Sequence, residues 1–162
     1  MEDFHRLNSG RSLDHPIRLI NEHEKFIETK MIFFSFFIIM ISMILIDGLW
    51  LALMHNRLYV PNIGHLLTDV MAIWPAIIFY ILYGIALNVF VVLPALKNNT
   101  GYLELLLLGL LFGMVTYGTY DLTNQVTLKN WPWVVTVIDI AWGSCLAGVV
   151  SLIATFMTRY FW

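Results

Sequence analysis

Along the chain, long apolar runs alternate with short polar breaks, and the breaks divide it into a polar leader and four stretches. The stretches fall at about 31–54, 70–96, 103–125 and 131–157, after a leader over residues 1–30. Each exceeds the roughly 20 residues that carry a helix across a hydrocarbon core of about 30 Å. In lipid the backbone must satisfy its own hydrogen bonds, which a helix does within one segment. The pattern therefore predicts an all-α membrane protein: four transmembrane helices with a short N-terminal juxtamembrane helix. Within the leader, HPIRLINEHEKFIETK predicts that short helix, entering near Pro16 and placing Ile17, Ile20, Glu24 and Ile27 on one face. Residues 1–15 read as a disordered tail.

Composition agrees with the pattern. Hydrophobic residues make up 59% and charged residues 12%, against about half and a quarter in soluble domains. Cys145 is the lone cysteine, so an internal disulfide is excluded, and zinc-type Cys/His spacings are absent. No run of Lys or Arg offers a nucleic-acid face. The first apolar stretch begins at residue 31 without a small-residue cleavage pattern and reads as an anchor, not a removed signal. Arg6, Arg11, Arg18, Lys25 and Lys30 precede it, and Arg57, Lys97, Lys129 and Arg159 follow one per remaining polar segment. With four spans this puts seven basic residues on the side of the termini and two on the other. By the positive-inside rule both termini are then expected in the cytoplasm. Asn98-Asn99-Thr100 matches a glycosylation acceptor but falls on the expected cytoplasmic side and carries no weight.

The acids inside the spans change the picture. Asp47, Asp121 and Asp139 interrupt the first, third and fourth stretches, and the second has no charge. In alternating helices all three fall in the outer half of the bilayer, about 6 to 12 Å from the midplane at 1.5 Å per residue. Ionisable groups at that depth mark a ligand or ion site by default. The third stretch ends in TYGTYDLTNQ, a polar knot that contributes Tyr117, Tyr120 and Asn124 beside Asp121. Lines spaced every four positions and rich in small residues run through Gly109, Gly113, Tyr117 and Asp121, and again through Asp139, Gly143, Ala147 and Ser151, with Ala76, Tyr80, Gly84 and Asn88 as a third. Such spacing permits close helix packing and puts the acids of the third and fourth helices on packed faces. The first and fourth helices share Ile-Asp-x-x-Trp, as Asp47 with Trp50 and Asp139 with Trp142, which an inverted repeat would produce.

LIDGLWL (45–51), GHLL (64–67), WPAIIFYILYG (74–84), FVVLPAL (90–96), YGTYDLTN (117–124), NWP (130–132) and DIAWG (139–143) occur in order. Together they resemble domain-of-unknown-function family twenty-one seventy-seven, bacterial four-span integral membrane proteins, from about residue 31 to the C terminus. The resemblance implies a bacterial integral membrane protein, no reaction and no cofactor, and leaves residues 1–30 outside its pattern.

Three functions are open. A transport-like or ligand-binding protein uses Asp47, Asp121 and Asp139, with Trp50, Trp142, Tyr117, Tyr120 and Asn124, to hold a cation, proton or small polar ligand. It implies a homo-oligomer or membrane partner, because four helices enclose little space. An accessory subunit uses the same groups only to fix helix packing. An enzyme acting on lipid would pair an Asp with His55 or His65, but Ser144 and Cys145 lie mid-membrane with no histidine near, so the reading leans against it. His65 and Asp69, four apart, would add a transition-metal pair if helical, yet fit equally an interfacial polar face before Trp74-Pro75.

Overall fold

Each apolar stretch is long enough to close its backbone hydrogen bonds along its own axis, and all secondary structure among the described residues is helical. The computed structural model describes the backbone of residues 3–68, 70 and 72–162, and the side chains of residue 22 and of residues 25–68, 70 and 72–162. Four helices are long and apolar enough to cross a membrane: span 1 (Lys25–Leu66), span 2 (Ile73–Lys97), span 3 (Tyr102–Thr127) and span 4 (Trp133–Phe161). The chain divides into two compact units, Met1–Phe34 and Ser35–Trp162. The first is helical from Asp3 onward, Pro16 included, and its Lys30 ammonium stands 4.0 Å from the Phe26 ring centre. The expected amphipathic face at Ile17, Ile20 and Glu24 lies outside the described side chains.

Two spans are helical further than the polarity pattern predicts, or change helical type where it is silent. Span 1 does not stop at Met54. It continues through a π-helical turn, His55–Tyr59, an α-helical turn, Val60–Ile63, and a 3-10 turn, Gly64–Leu66. Span 2 holds a second π turn, Asn88–Val92, before Leu93–Lys97. Each π turn precedes a proline. Pro61 and Pro94 follow the carbonyls of Arg57 and Phe90 by four residues, the carbonyls against which a proline ring collides in a regular helix. Widening that turn relieves the collision and lets both helices continue.

Spans 3 and 4 pack backbone to backbone. A Cβ on Gly109 would come 2.7 Å from the Gly148 Cα, one on Gly113 would strike the Gly143 carbonyl, and one on Gly143 would strike the Tyr117 ring. No side chain fits at any of these crossings, which is what small residues four apart provide. Around this seam Ile39, Met43, Leu87, Val92, Leu105, Leu146 and Val150 form the buried core, while Phe37, Leu45, Leu82, Phe90, Leu107 and Val137 point outward. An exposed apolar belt of this kind is the face a membrane protein turns to lipid.

The turns after spans 2 and 3 use asparagine. Asn99 and Asn130 adopt the left-handed region, φ 49° and 60°, where Asn is tolerated best after Gly. The Arg159 guanidinium donates to the carbonyls of Ala95 (3.0 Å) and Thr100 (2.9 Å), fastening the end of span 4 to the turn after span 2. At the other end of the bundle, the Trp131 indole donates to Thr136 (3.0 Å), Thr136 to the Gln125 amide oxygen (3.1 Å), and the Gln125 nitrogen to the Trp131 carbonyl (3.2 Å).

Candidate functional site

Span 1 presents Asp47 and Trp50 one turn apart, and span 4 presents Asp139 and Trp142 likewise, running the other way. The two indoles stack face to face, centroids 4.1 Å apart and 7° from parallel. Each acid is then reached from the opposite helix. Trp142 Nε1 donates to Asp47 Oδ1 at 2.9 Å, and Tyr80 Oη of span 2 donates to Asp47 Oδ2. Trp50 Nε1 donates to Tyr59 Oη at 3.0 Å, and Tyr59 Oη donates onward to Asp139 Oδ1 at 2.7 Å. The two copies of the Ile-Asp-x-x-Trp pattern thus meet through their stacked indoles, with Trp142 reaching Asp47 directly and Trp50 reaching Asp139 through Tyr59.

Tyr59 enters through the π turn. Nine residues separate it from Trp50, about two and a half turns at 3.6 residues per turn, which puts the two on opposite sides of a regular helix. The extra residue taken up by His55–Tyr59 brings the phenol back to Trp50's side.

Asp121 stands apart from this network. It is fully buried on span 3, yet neither carboxylate oxygen has a hydrogen-bond partner. One turn on, the Asn124 side-chain nitrogen is buried and equally unpartnered. The threonines near it in sequence offer nothing, because Thr116, Thr119, Thr123 and Thr127 return their hydroxyls to the carbonyls of Phe112, Val115, Thr119 and Thr123 on their own helix. A buried carboxyl without a donor is costly unless a cation or proton compensates it.

Asp121 and Asp139 line one cavity of about 430 Å³ between spans 2, 3 and 4, with Phe79, Tyr83, Thr116, Tyr117 and Tyr120. Of the lining side chains Phe79 and Tyr120 are exposed and Tyr83 is buried. Tyr83 sets its ring 5.5 Å from Phe79 and 6.3 Å from Tyr117, centre to centre, so the aromatic wall is continuous. A larger, shallow depression of about 590 Å³ runs along another face of span 3, past Gly118, Thr119 and Thr123, and no ionisable side chain lines it.

The sequence-predicted residues therefore separate. Asp47, Trp50, Trp142 and Asp139 share the hydrogen-bonded layer, and Asp139, Tyr117, Tyr120 and Asp121 share the cavity. His65 is exposed on the 3-10 turn, and Asp69 lies outside the described residues. His55, Arg57 and Lys129 are exposed too, and the donors to Asp47 and Asp139 are tyrosine and tryptophan instead. Among the described residues no three His, Cys, Asp or Glu side chains gather as a metal-ligand set. Tyr59, Phe79 and Tyr83 join the site without having been singled out in the sequence, and Tyr80 does so from its small-residue line.

These features define a four-span helical membrane protein with carboxylates and aromatic rings joined inside its bundle. The family model described as "Predicted membrane protein (DUF2177)" matches residues 32–156, and the chain belongs to that family. No curated protein and no solved structure matches the chain.

Proposed function

We propose that this chain is a transport-like or ligand-binding protein of the bacterial inner membrane that holds a cation, a proton or a small polar ligand at Asp121 and Asp139. The observation that carries this reading is the Asp121 carboxyl, fully buried with both oxygens unpartnered, beside a second carboxylate in a cavity. A group kept only to fix helix packing is expected to have its hydrogen bonds made. Asp47 meets that expectation, with a donor on each oxygen, and its role is structural. The seven-to-two distribution of Lys and Arg supports cytoplasmic termini, which puts the cavity on the outer side. Lipid is the surrounding partner, and moving a ligand across calls for self-association, because four helices enclose little space.

Thermal unfolding of the purified protein in detergent, between about pH 4 and pH 8 and with or without added monovalent and divalent cations, tests the reading. Wild-type stability should respond to pH or to a cation, and Asp121→Asn should abolish the response while still folding. A wild-type profile indifferent to both would leave the acids as packing elements.

A further inference from the structure

We propose that the occupant of the Asp121–Asp139 cavity is an organic cation, an alkylated or arylated ammonium-type group, rather than a bare metal ion. The inference rests on the binding reading above and narrows it to a ligand class.

Three observations point the same way. First, the wall is aromatic: Phe79, Tyr83, Tyr117 and Tyr120 surround two carboxylates. Ring faces attract a cation within about 6 Å of their centres, and cages of this kind recognise quaternary ammonium groups. Second, a hard metal ion demands about six to eight oxygen ligands, and magnesium a near-octahedral set. This cavity supplies two carboxylates and mostly carbon, and no three-residue acid or histidine group is present among the described residues. Third, a volume of about 430 Å³ falls in the range of roughly 300–1,000 Å³ that holds small organic molecules. A large, weakly hydrated cation loses little on leaving water and covers the rings as it enters. Asp139, 8% exposed, meets the charge first, and Asp121 behind it supplies the second negative group. The same chemistry is presented by a free organic cation or by the ammonium of a lipid headgroup.

The test is retention of radiolabelled tetraphenylphosphonium by the full-length protein, immobilised in detergent, with neutral tetraphenylsilane as the shape control. Wild type should retain the cation at least about tenfold better than Asp121→Asn, and retain the neutral analogue no better than that variant does. Asp121→Asn breaks no hydrogen bond, because its carboxylate makes none, so the loss reads charge and not architecture. Should that variant fail to fold, Phe79→Leu, at an exposed lining position, replaces it, with retention expected to fall about three- to tenfold. Displacement of the probe by tetraethylammonium identifies a free solute as the source, and displacement by phosphatidylcholine but not phosphatidylglycerol identifies a headgroup; either result supports the proposal. Equal retention by wild type and Asp121→Asn, or equal retention of the neutral analogue, overturns it. A wild type stabilised by sodium or magnesium through Asp121 but holding no tetraphenylphosphonium overturns the organic-cation assignment and leaves the binding reading standing. Indifference to every cation and to pH overturns both.

Discussion

Three aspartates of identical chemistry take different parts because their neighbours differ. Asp47 is enclosed by the Tyr80 hydroxyl and the Trp142 indole, Asp139 is held on one oxygen by Tyr59, and Asp121 is held by nothing. Converting Asp47 to Asn weakens two charge-assisted bonds and turns an amide N–H toward a donor, so Asp47→Asn should destabilise by about 1–3 kcal/mol. Asp121→Asn, measured by the same thermal unfolding without added cations, should cost markedly less. The reverse order would mean that Asp121 is the structural acid. Tyr59→Phe removes a hydroxyl that both accepts from Trp50 and donates to Asp139, and should cost about 1–3 kcal/mol. The effect of Asp139→Asn should shrink in the Tyr59→Phe background, since the two act through one bond. Strict additivity of the two changes would contradict that link.

At the level of elements, the seam between spans 3 and 4 and the two π turns decide the geometry. Gly113→Leu must push apart two backbones that now meet at the Gly143 carbonyl, and should lower stability by at least about 1–3 kcal/mol or reduce folded yield. An unchanged melting profile would mean the seam is not a packing contact. This seam was readable in the sequence, because Gly109, Gly113 and Gly143 stand at spacings that only a helix face explains. The spans were readable for the same reason: hydropathy over 20 residues reports on lipid directly. Tyr59 was not. Regular helical periodicity puts it opposite Trp50, and the π turn that corrects its direction comes from Pro61, whose effect on the preceding turn depends on the helix continuing past polar His55-Asn56-Arg57. The pairing of Trp50 on Trp142 was half legible: the repeated pattern announced a relation between spans 1 and 4, but not that the indoles stack. Which acid lacks donors was not legible at all, since the polar stretch TYGTYDLTNQ offers many hydroxyls, and only the helix shows them turned back on their own carbonyls.

Within Ser35–Trp162, apolar side chains face outward around the hydrogen-bonded acids, and the topology decides which compartment those acids serve. A fluorescent reporter active only in the cytoplasm, fused after Trp162, should give signal, as the basic asymmetry requires. A dark fusion with periplasmic activity would reverse the orientation and open the cavity toward the cell interior. On the proposed reading the Asp121 carboxyl exchanges a proton or a cation instead of serving the packing. Infrared difference spectroscopy on the protein in bilayers reads that group most directly, through the carboxyl stretch present in wild type and absent from Asp121→Asn. An Asp121-dependent band should change with pH between about 4 and 8 or on addition of a cation. A carboxyl signal from Asp121 that stays constant across that range, with every cation tried, would contradict that reading.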